Sequence, residues 1–262
     1  MRILVFTLLS LLLWSCSSPG PGRQVWVDDG LVNELDGYWL YLPESFSKEE
    51  RWPVLVYLVG GDMASGPNPR SAKNEGPIRY AVGSKDEQLS NLVLDNFIII
   101  NPHMTTGPRS ERQWGQHADA IVHLVDQVIS QYNGDSQKVT ITGPSKGGRG
   151  CWSVIKKHPD RFNKVIAISG QVYCESGCEQ LIDKPIWIIH NDEDDLVSSQ
   201  YSKDVVSWFQ NHQIDFLKVD NMSLSTDELS NQKLFTLCSK KGHDAWSAAY
   251  SSPEFYEWIL NH

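Results

Sequence analysis

From Gly37 onward the chain alternates two kinds of hydrophobic pattern. Short runs of β-branched and aromatic residues recur at 38–42, 54–59, 97–101, 139–142, 165–169 and 186–190. Several are apolar at every position, as a strand covered on both faces of a parallel sheet must be. Between them lie longer stretches with helical spacing. Residues 118–132 place Ile121, Leu124, Val125 and Val128 on one face, and 198–212 and 245–260 read as further helices. Strand–helix alternation with no long linker predicts a single α/β domain built on a mostly parallel central sheet. One stretch breaks the rhythm. Two β-like runs, 215–219 and 234–238, flank a polar segment at 223–233, and the expectation is a hairpin or a loop excursion near the end of the sheet.

The first residues follow neither pattern. One cation, Arg2, precedes an apolar run over residues 3–13 that ends at Trp14-Ser15-Cys16. The run falls short of the ~20 apolar residues of a membrane-spanning helix and has the parts of a secretory signal. Leu13-Trp14-Ser15-Cys16 resembles the bacterial lipobox, whose cysteine is lipidated and becomes the mature first residue. Trp14 is bulkier than the usual occupant of its position, which leaves ordinary signal-peptidase cleavage open. Residues 1–15 are therefore expected to be a lipoprotein-type signal peptide, 16–24 a flexible tether rich in Ser, Pro and Gly, and 25–262 the folded domain. The expectation is export to a bacterial cell envelope and a membrane anchor at Cys16.

Composition narrows the function. Of 262 residues, 40% are apolar and 21% charged, enough to bury a large core, which excludes a disordered or disulfide-stapled chain. The formal charge is −9, the wrong sign for a protein whose main ligand is a phosphate backbone, so no nucleic-acid partner is expected. Cys151, Cys174, Cys178 and Cys238 allow three pairings, and a local bridge between Cys174 and Cys178 and free buried thiols both stay open. No pair of Cys-x-x-Cys units and no His-Glu-x-x-His is present, so neither a structural nor a catalytic metal site is expected.

The strand at 139–142 runs into Gly143-Pro144-Ser145-Lys146-Gly147-Gly148 and then a helix-like stretch. A G-x-S-x-G between strand and helix is the setting of a nucleophile elbow, a turn so tight that the residues flanking the serine must be small. It lifts the hydroxyl out at the carboxyl end of the sheet and leaves N–H groups at a helix start, suited to an oxyanion. A serine needs a base and an acid to orient that base, in the chain order Ser, Asp or Glu, His. An acidic loop, Asp192 to Asp195, follows the strand at 186–190, and His243 sits in a Gly-led loop before the last helix. Of the eight histidines, only His243 has that loop position and order. His103, just after a strand, is a candidate pocket residue, and His190 reads as a packing or locally bonded one.

These segments resemble the α/β-hydrolases related to feruloyl esterases, polyhydroxybutyrate depolymerases and dienelactone hydrolases, in particular the branch labelled predicted peptidases or phospholipase/carboxylesterase-like proteins. Gly143–Gly148, Gly150–Trp152 and Pro159–Phe162 match its G-x-S-x-G-G, G-x-W and P-x-R-F elements. His190 to Val197 match its H-G-x-x-D-x-x-V, and Gly242-His243, Trp246, Tyr250, Pro253-Glu254 and Trp258 match its ending. The resemblance implies an α/β-hydrolase fold with helices on both faces of the sheet and no separate lid domain. It implies a catalytic Ser145, Asp194 and His243, oxyanion N–H groups at Gly61 and Lys146, and no cofactor.

Two departures stand out. Val59 replaces the His of the usual His-Gly, and Lys146 replaces a common Met, adding a cation that either biases the site toward acidic substrates or reaches solvent. Trp114 and Trp246 could flank the pocket. The implied activity is carboxylic ester hydrolysis on an extracellular acylated glycan, aryl ester or polyester fragment. The alternatives are a peptidase and a binding protein that keeps the fold without turnover.

Overall fold

A computed structural model of the protein describes residues 19–28, 35–61, 73, 75–104 and 113–262. The expected signal segment and Cys16 lie outside them. Among the described residues nine strands form one sheet: β1 (Gln24–Val27), β2 (Leu35–Tyr41), β3 (Trp52–Tyr57), β4 (Ile98–Met104), β5 (Gly134–Pro144), β6 (Lys164–Ile168), β7 (Ile186–Glu193), β8 (Leu217–Val219) and β9 (Lys233–Lys241). Their order is β1-β2-β4-β3-β5-β6-β7-β9-β8. Only the pairs made by β2 are antiparallel; from β4 to β8 every neighbour is parallel.

Every residue of β4 and of β6 is buried. Successive strand residues point to opposite faces, so this pattern means that both faces are covered. The covering helices are α1 (Pro77–Ala81), α2 (Glu87–Leu94), α3 (Ala118–Tyr132), α4 (Lys146–Lys157), α5 (Gln200–Asn211), α6 (Thr226–Leu229), α7 (Trp246–Tyr250) and α8 (Pro253–Asn261). α3 and α4 touch each other and the strands β5 and β6; α1, α2, α6, α7 and α8 form a second contacting set. This is the α/β-hydrolase arrangement, with helices on both faces of a mostly parallel sheet. The centre of the second layer is aromatic. Trp187 of β7 packs against Phe255 and Trp258 of α8, with ring centroids 5.7 and 5.4 Å away. Each indole N–H has a partner, Thr236 Oγ1 for Trp187 and the Asn231 carbonyl for Trp258, so the rings are buried without an orphaned donor.

Three local expectations are revised. The runs at 215–219 and 234–238 do pair, but in parallel, which no hairpin allows. The polar segment between them is a crossover: Ser225 and Glu228 form a reciprocal capping box that starts α6, and Leu229 anchors it to the core. The helix expected over 245–260 is two helices, because Pro253 cannot continue α7 and holds Ser252 extended, at φ −95° and ψ 125°. The stretch expected as tether ends bound to the sheet. Pro21 bridges to Leu42, the Gly22 N–H donates to the Leu42 carbonyl, and Gln24 opens β1. Cys174 and Cys178 are joined by a disulfide, whereas Cys151 and Cys238 are free and buried.

The centre of the sheet should be the least tolerant part of the molecule. Ile166, fully buried on β6, truncated to Ala should lower the unfolding free energy by about 2–5 kcal/mol, read from the urea midpoint. A loss below about 1 kcal/mol would contradict the packing described.

Candidate active site

β5 ends at Pro144, α4 begins at Lys146, and Ser145 alone makes the turn with φ 54° and ψ −117°. Positive φ in a non-glycine residue costs about 1–3 kcal/mol, and it persists only where the surroundings enforce it. Here the enforcing contacts are backbone on backbone. A side chain at Gly143 or Gly147 would overlap the Leu58 carbonyl, and one at Gly148 would lie 2.7 Å from the Ile168 oxygen. The Ser145 N–H donates to that same Ile168 oxygen at 2.8 Å. The strand ends on either side thus grip the elbow, which is why glycine must stand at those three positions.

The acid and the imidazole arrive on neighbouring strands. A register shift between β7 and β9 sets Glu193 against Lys241, and the Gly242 N–H donates to the Glu193 carbonyl. Asn191 Nδ2 donates to the Gly242 carbonyl at 2.9 Å and so ties the two loops together. His243 Nδ1 then lies 2.7 Å from Asp194 Oδ2. An ionised carboxylate only accepts, so the Nδ1 proton is on His243, which leaves its Nε2 as the basic atom. Nε2 has no hydrogen-bond partner among the described residues.

Asp194 has no exposed side-chain surface. Its Oδ1 accepts from the Leu196 and Val197 N–H groups, each at 2.9 Å, and its Oδ2 also faces His190 Nε2 at 3.1 Å. Burial pushes this carboxyl upward, but the hydrogen bonds from His243 and from the two backbone N–H groups outweigh it and hold it below the usual carboxylate range. His190 Nε2 faces two acceptors, Asp194 and the Val197 carbonyl, and Nδ1 meets the Ser202 hydroxyl at 2.7 Å. That pattern suits one tautomer, neutral and protonated at Nε2. Burial lowers the pKa of His190, against the opposing pull of the Val197 carbonyl and Asp194. The local bonding expected of His190 therefore has a specific object, the carboxylate that holds His243.

Ser145 and His243 line one cavity of about 380 Å³. Gly60 and Gly61 border it beside Ser145; at Gly61, with φ 60°, nothing stands within 4 Å of where a side chain would begin. Trp246 forms another wall, its ring edge-on to His243 at 5.2 Å. The remaining walls are Tyr57, Tyr80, Tyr250 and Leu196, with the Glu75–Arg79 pair alongside at 3.4 Å. Sequence reading missed these walls. Tyr57, Tyr80 and Tyr250 come from β3, α1 and α7, and no short-range pattern links them.

The two other expected pocket residues do not line this cavity, although Trp114 borders a neighbouring hollow with Lys146, Arg149 and Ser153. Trp114 is buried, and its indole N–H donates to the Val59 carbonyl at 3.0 Å, in a space left open by Gly150. It therefore braces the Gly60–Gly61 segment from behind. His103 does not line the cavity. The β2–β4 register sets it opposite Gly37, where it is sealed near Asp36 and the Trp26 ring. Among the described residues no group of three or more His, Cys, Asp or Glu side chains is placed to hold a metal ion.

Two measurements test this geometry. Gly147→Ala should destabilise the fold by about 3 kcal/mol or more, since the conflict is with main chain that cannot move aside; a midpoint close to wild type would refute the elbow packing. In the pH dependence, the unfolded chain takes up the His190 proton first, near pH ~6.5, so stability should fall as pH drops from there toward the depressed folded value. His190→Gln should remove that share of the slope in urea midpoints taken between about pH 7.5 and 5. An unaltered slope would show that His190 is not held neutral.

Residues 37–246 match the family described as "Putative esterase". Rat liver carboxylesterase 1F is 31% identical over 140 residues, 51% of this chain and 23% of the relative, so the chain spans about a quarter of that protein's length. Acetylxylan esterase A of Emericella nidulans is 25% identical over 62% of this chain and 55% of its own. Among solved structures, a thermostable esterase superposes over 91% of this chain and 62% of its own, with a TM-score of 0.67 at 21% identity. A feruloyl esterase module from Clostridium thermocellum, complexed with sinapinate, covers 92% of this chain and 87% of its own, with a TM-score of 0.66 at 13% identity. At those identities the structural likeness speaks for the fold. With four-fifths of its length inside the family match, this chain belongs to the esterase family of α/β-hydrolases.

Proposed function

We propose that the protein hydrolyses carboxylic esters through a covalent acyl-enzyme on Ser145. The observation that carries this reading is the bond of 2.7 Å from His243 Nδ1 to the buried Asp194, at the wall of a cavity that also contains Ser145. Ser145 Oγ attacks the ester carbonyl as His243 Nε2 takes its proton. The tetrahedral intermediate expels the alcohol, which leaves with that proton. Water, deprotonated by the same nitrogen, then attacks the acyl-enzyme, releases the acid and restores the serine. Asp194 keeps the imidazole in the correct tautomer and stabilises it once charged. The N–H groups of Gly61 and Lys146 hold the oxyanion, each contact worth roughly 3–4 kcal/mol in comparable sites.

The aromatic walls Tyr57, Tyr80, Trp246 and Tyr250 support an aryl or short acyl group as one half of the ester. An acylated glycan, aryl ester or polyester fragment met outside the cell fits this together with an export signal at residues 1–15 and lipidation at Cys16.

A fluorophosphonate probe should label the domain from Gln24 onward, and Ser145→Ala should abolish the labelling. In the same variant kcat/KM on p-nitrophenyl acetate should fall by ~10⁴-fold or more. A folded wild-type domain that neither labels nor turns over would overturn the esterase reading and leave a binding protein on the same fold.

A further inference from the structure

Three tyrosines wall the aromatic cavity, and two of their hydroxyls are already engaged. Tyr80 Oη meets Ser247 Oγ at 2.8 Å, and Tyr250 Oη meets Thr142 Oγ1 at 3.1 Å. The Tyr57 hydroxyl makes no hydrogen bond to any described residue, although Tyr57 is only 3% exposed. A buried tyrosine ordinarily finds a partner for its O–H. Nor can this ring turn aside to find one. A side chain at Gly76 would begin 2.6 Å from two of its carbons, and Tyr250 packs edge-on to it at 5.7 Å. The hydroxyl is not sealed off, and the open space that Tyr57 borders is the cavity.

Glu75, next to Gly76 in the chain, lines the same cavity. Its side chain is 20% exposed, and among the described residues its one partner is Arg79, which is 61% exposed and 3.4 Å away. Charge-assisted pairs ordinarily close to about 2.7–2.9 Å, so this carboxylate keeps unused capacity to accept. Its charge is felt at Tyr57. Burial raises the pKa of that phenol, and Glu75 adds to the rise while Arg79 opposes it, so Tyr57 stays protonated. Yet no hydrogen bond joins the two. They are near enough to interact but unbonded to each other, which leaves a place for a third group.

We propose that Tyr57 and Glu75 are specificity-determining residues, selecting an ester whose cavity-bound group ends in a hydrogen-bond donor. The inference rests on the esterase reading and narrows it. A hydroxyl can donate to the Glu75 carboxylate and accept from Tyr57 Oη. A primary ammonium can donate to both and also meets the aromatic rings. A methyl in the same place leaves both groups buried and unpaired, so the site rejects apolar tips as much as it holds polar ones.

The test compares esters that differ only at the tip, each rate divided by the hydroxide-catalysed rate. For the acid half, 4-nitrophenyl esters of benzoic, phenylacetic and 3-phenylpropanoic acid carry hydroxymethyl, aminomethyl or ethyl at ring position 4, and the three acids scan the reach from Ser145. For the alcohol half, 4-(hydroxymethyl)phenyl and 4-(aminomethyl)phenyl acetate are set against 4-ethylphenyl acetate. In at least one set a donor-tipped ester should have a kcat/KM about tenfold or more above its ethyl counterpart, the scale of a buried hydrogen bond to a charged group. An ammonium preference should shrink in about 1 M salt, and a hydroxyl preference should not. Tyr57→Phe deletes one oxygen and Glu75→Gln removes the charge while keeping the shape, and the ratio should fall toward one in either.

The ratio is read within each variant, so a general loss of rate does not disturb it. A preference that is lost in at least one of the two variants supports the proposal. A wild type with no donor preference in any set would overturn it, as would a preference that both variants retain. Failure of the esterase reading looks different: no ester, whatever its tip, would be hydrolysed in a Ser145-dependent way.

Discussion

The site depends on one buried carboxylate. Asp194 has no exposed side-chain surface, and a bare charge in that position would cost the fold several kcal/mol. It is tolerated because four N–H groups converge on its two oxygens: Leu196 and Val197 from its own loop, His190 from the strand before it, and His243 from the loop after β9. The dependence runs both ways. The carboxylate organises its own loop through two backbone bonds, and it fixes a ring that lines the cavity. Burial in turn lowers the pKa of His190, so it supplies a donor without adding a charge that would compete with His243.

Ser145 is held by a different kind of force. Against the backbone of the elbow stand strand ends that approach closer than any Cβ would permit. The elbow is thus fixed by steric exclusion between main-chain atoms, while the acid and the imidazole are fixed by hydrogen bonds. Trp114 adds a hydrogen bond to that steric scheme: by donating to the Val59 carbonyl it braces the segment that carries Gly60 and Gly61 past the serine. Val59, in place of the usual histidine, can serve because what the site takes from this segment is its backbone.

The parts of the fold legible in the sequence were those whose cause is local. Buried parallel strands must be apolar throughout, and the elbow needs small residues at fixed spacing, so β3 to β7 and the positions of Ser145, Asp194 and His243 could be read from pattern and order. What escaped depends on contacts between distant segments. The direction of β8 relative to β9 turns on whether 223–233 crosses over or folds back, and a polar segment looks the same in either case until Ser225 and Glu228 are recognised as a helix cap. Pro253 did mark the break in the last helix, but the apolar spacing on both sides of it concealed the change of direction. His103 was misplaced because a residue type suited to a pocket carries no record of which way its side chain points. The tyrosines that wall the cavity lie on three elements far apart in sequence.

The two borders of the sheet are unlike its interior. At one border β8 is only three residues long, and at the other β1 is four residues long and paired antiparallel to β2. A long bare edge would invite another chain to add a strand, and short edges leave few unpaired main-chain groups for it to use. Between these borders lie runs as apolar as Ile98–Ile99–Ile100, with the composition of an aggregating segment. The brevity of β1 and β8 thus has a colloidal consequence. It closes the sheet to growth at both ends, so the most adhesive sequences in the protein meet only their own neighbours.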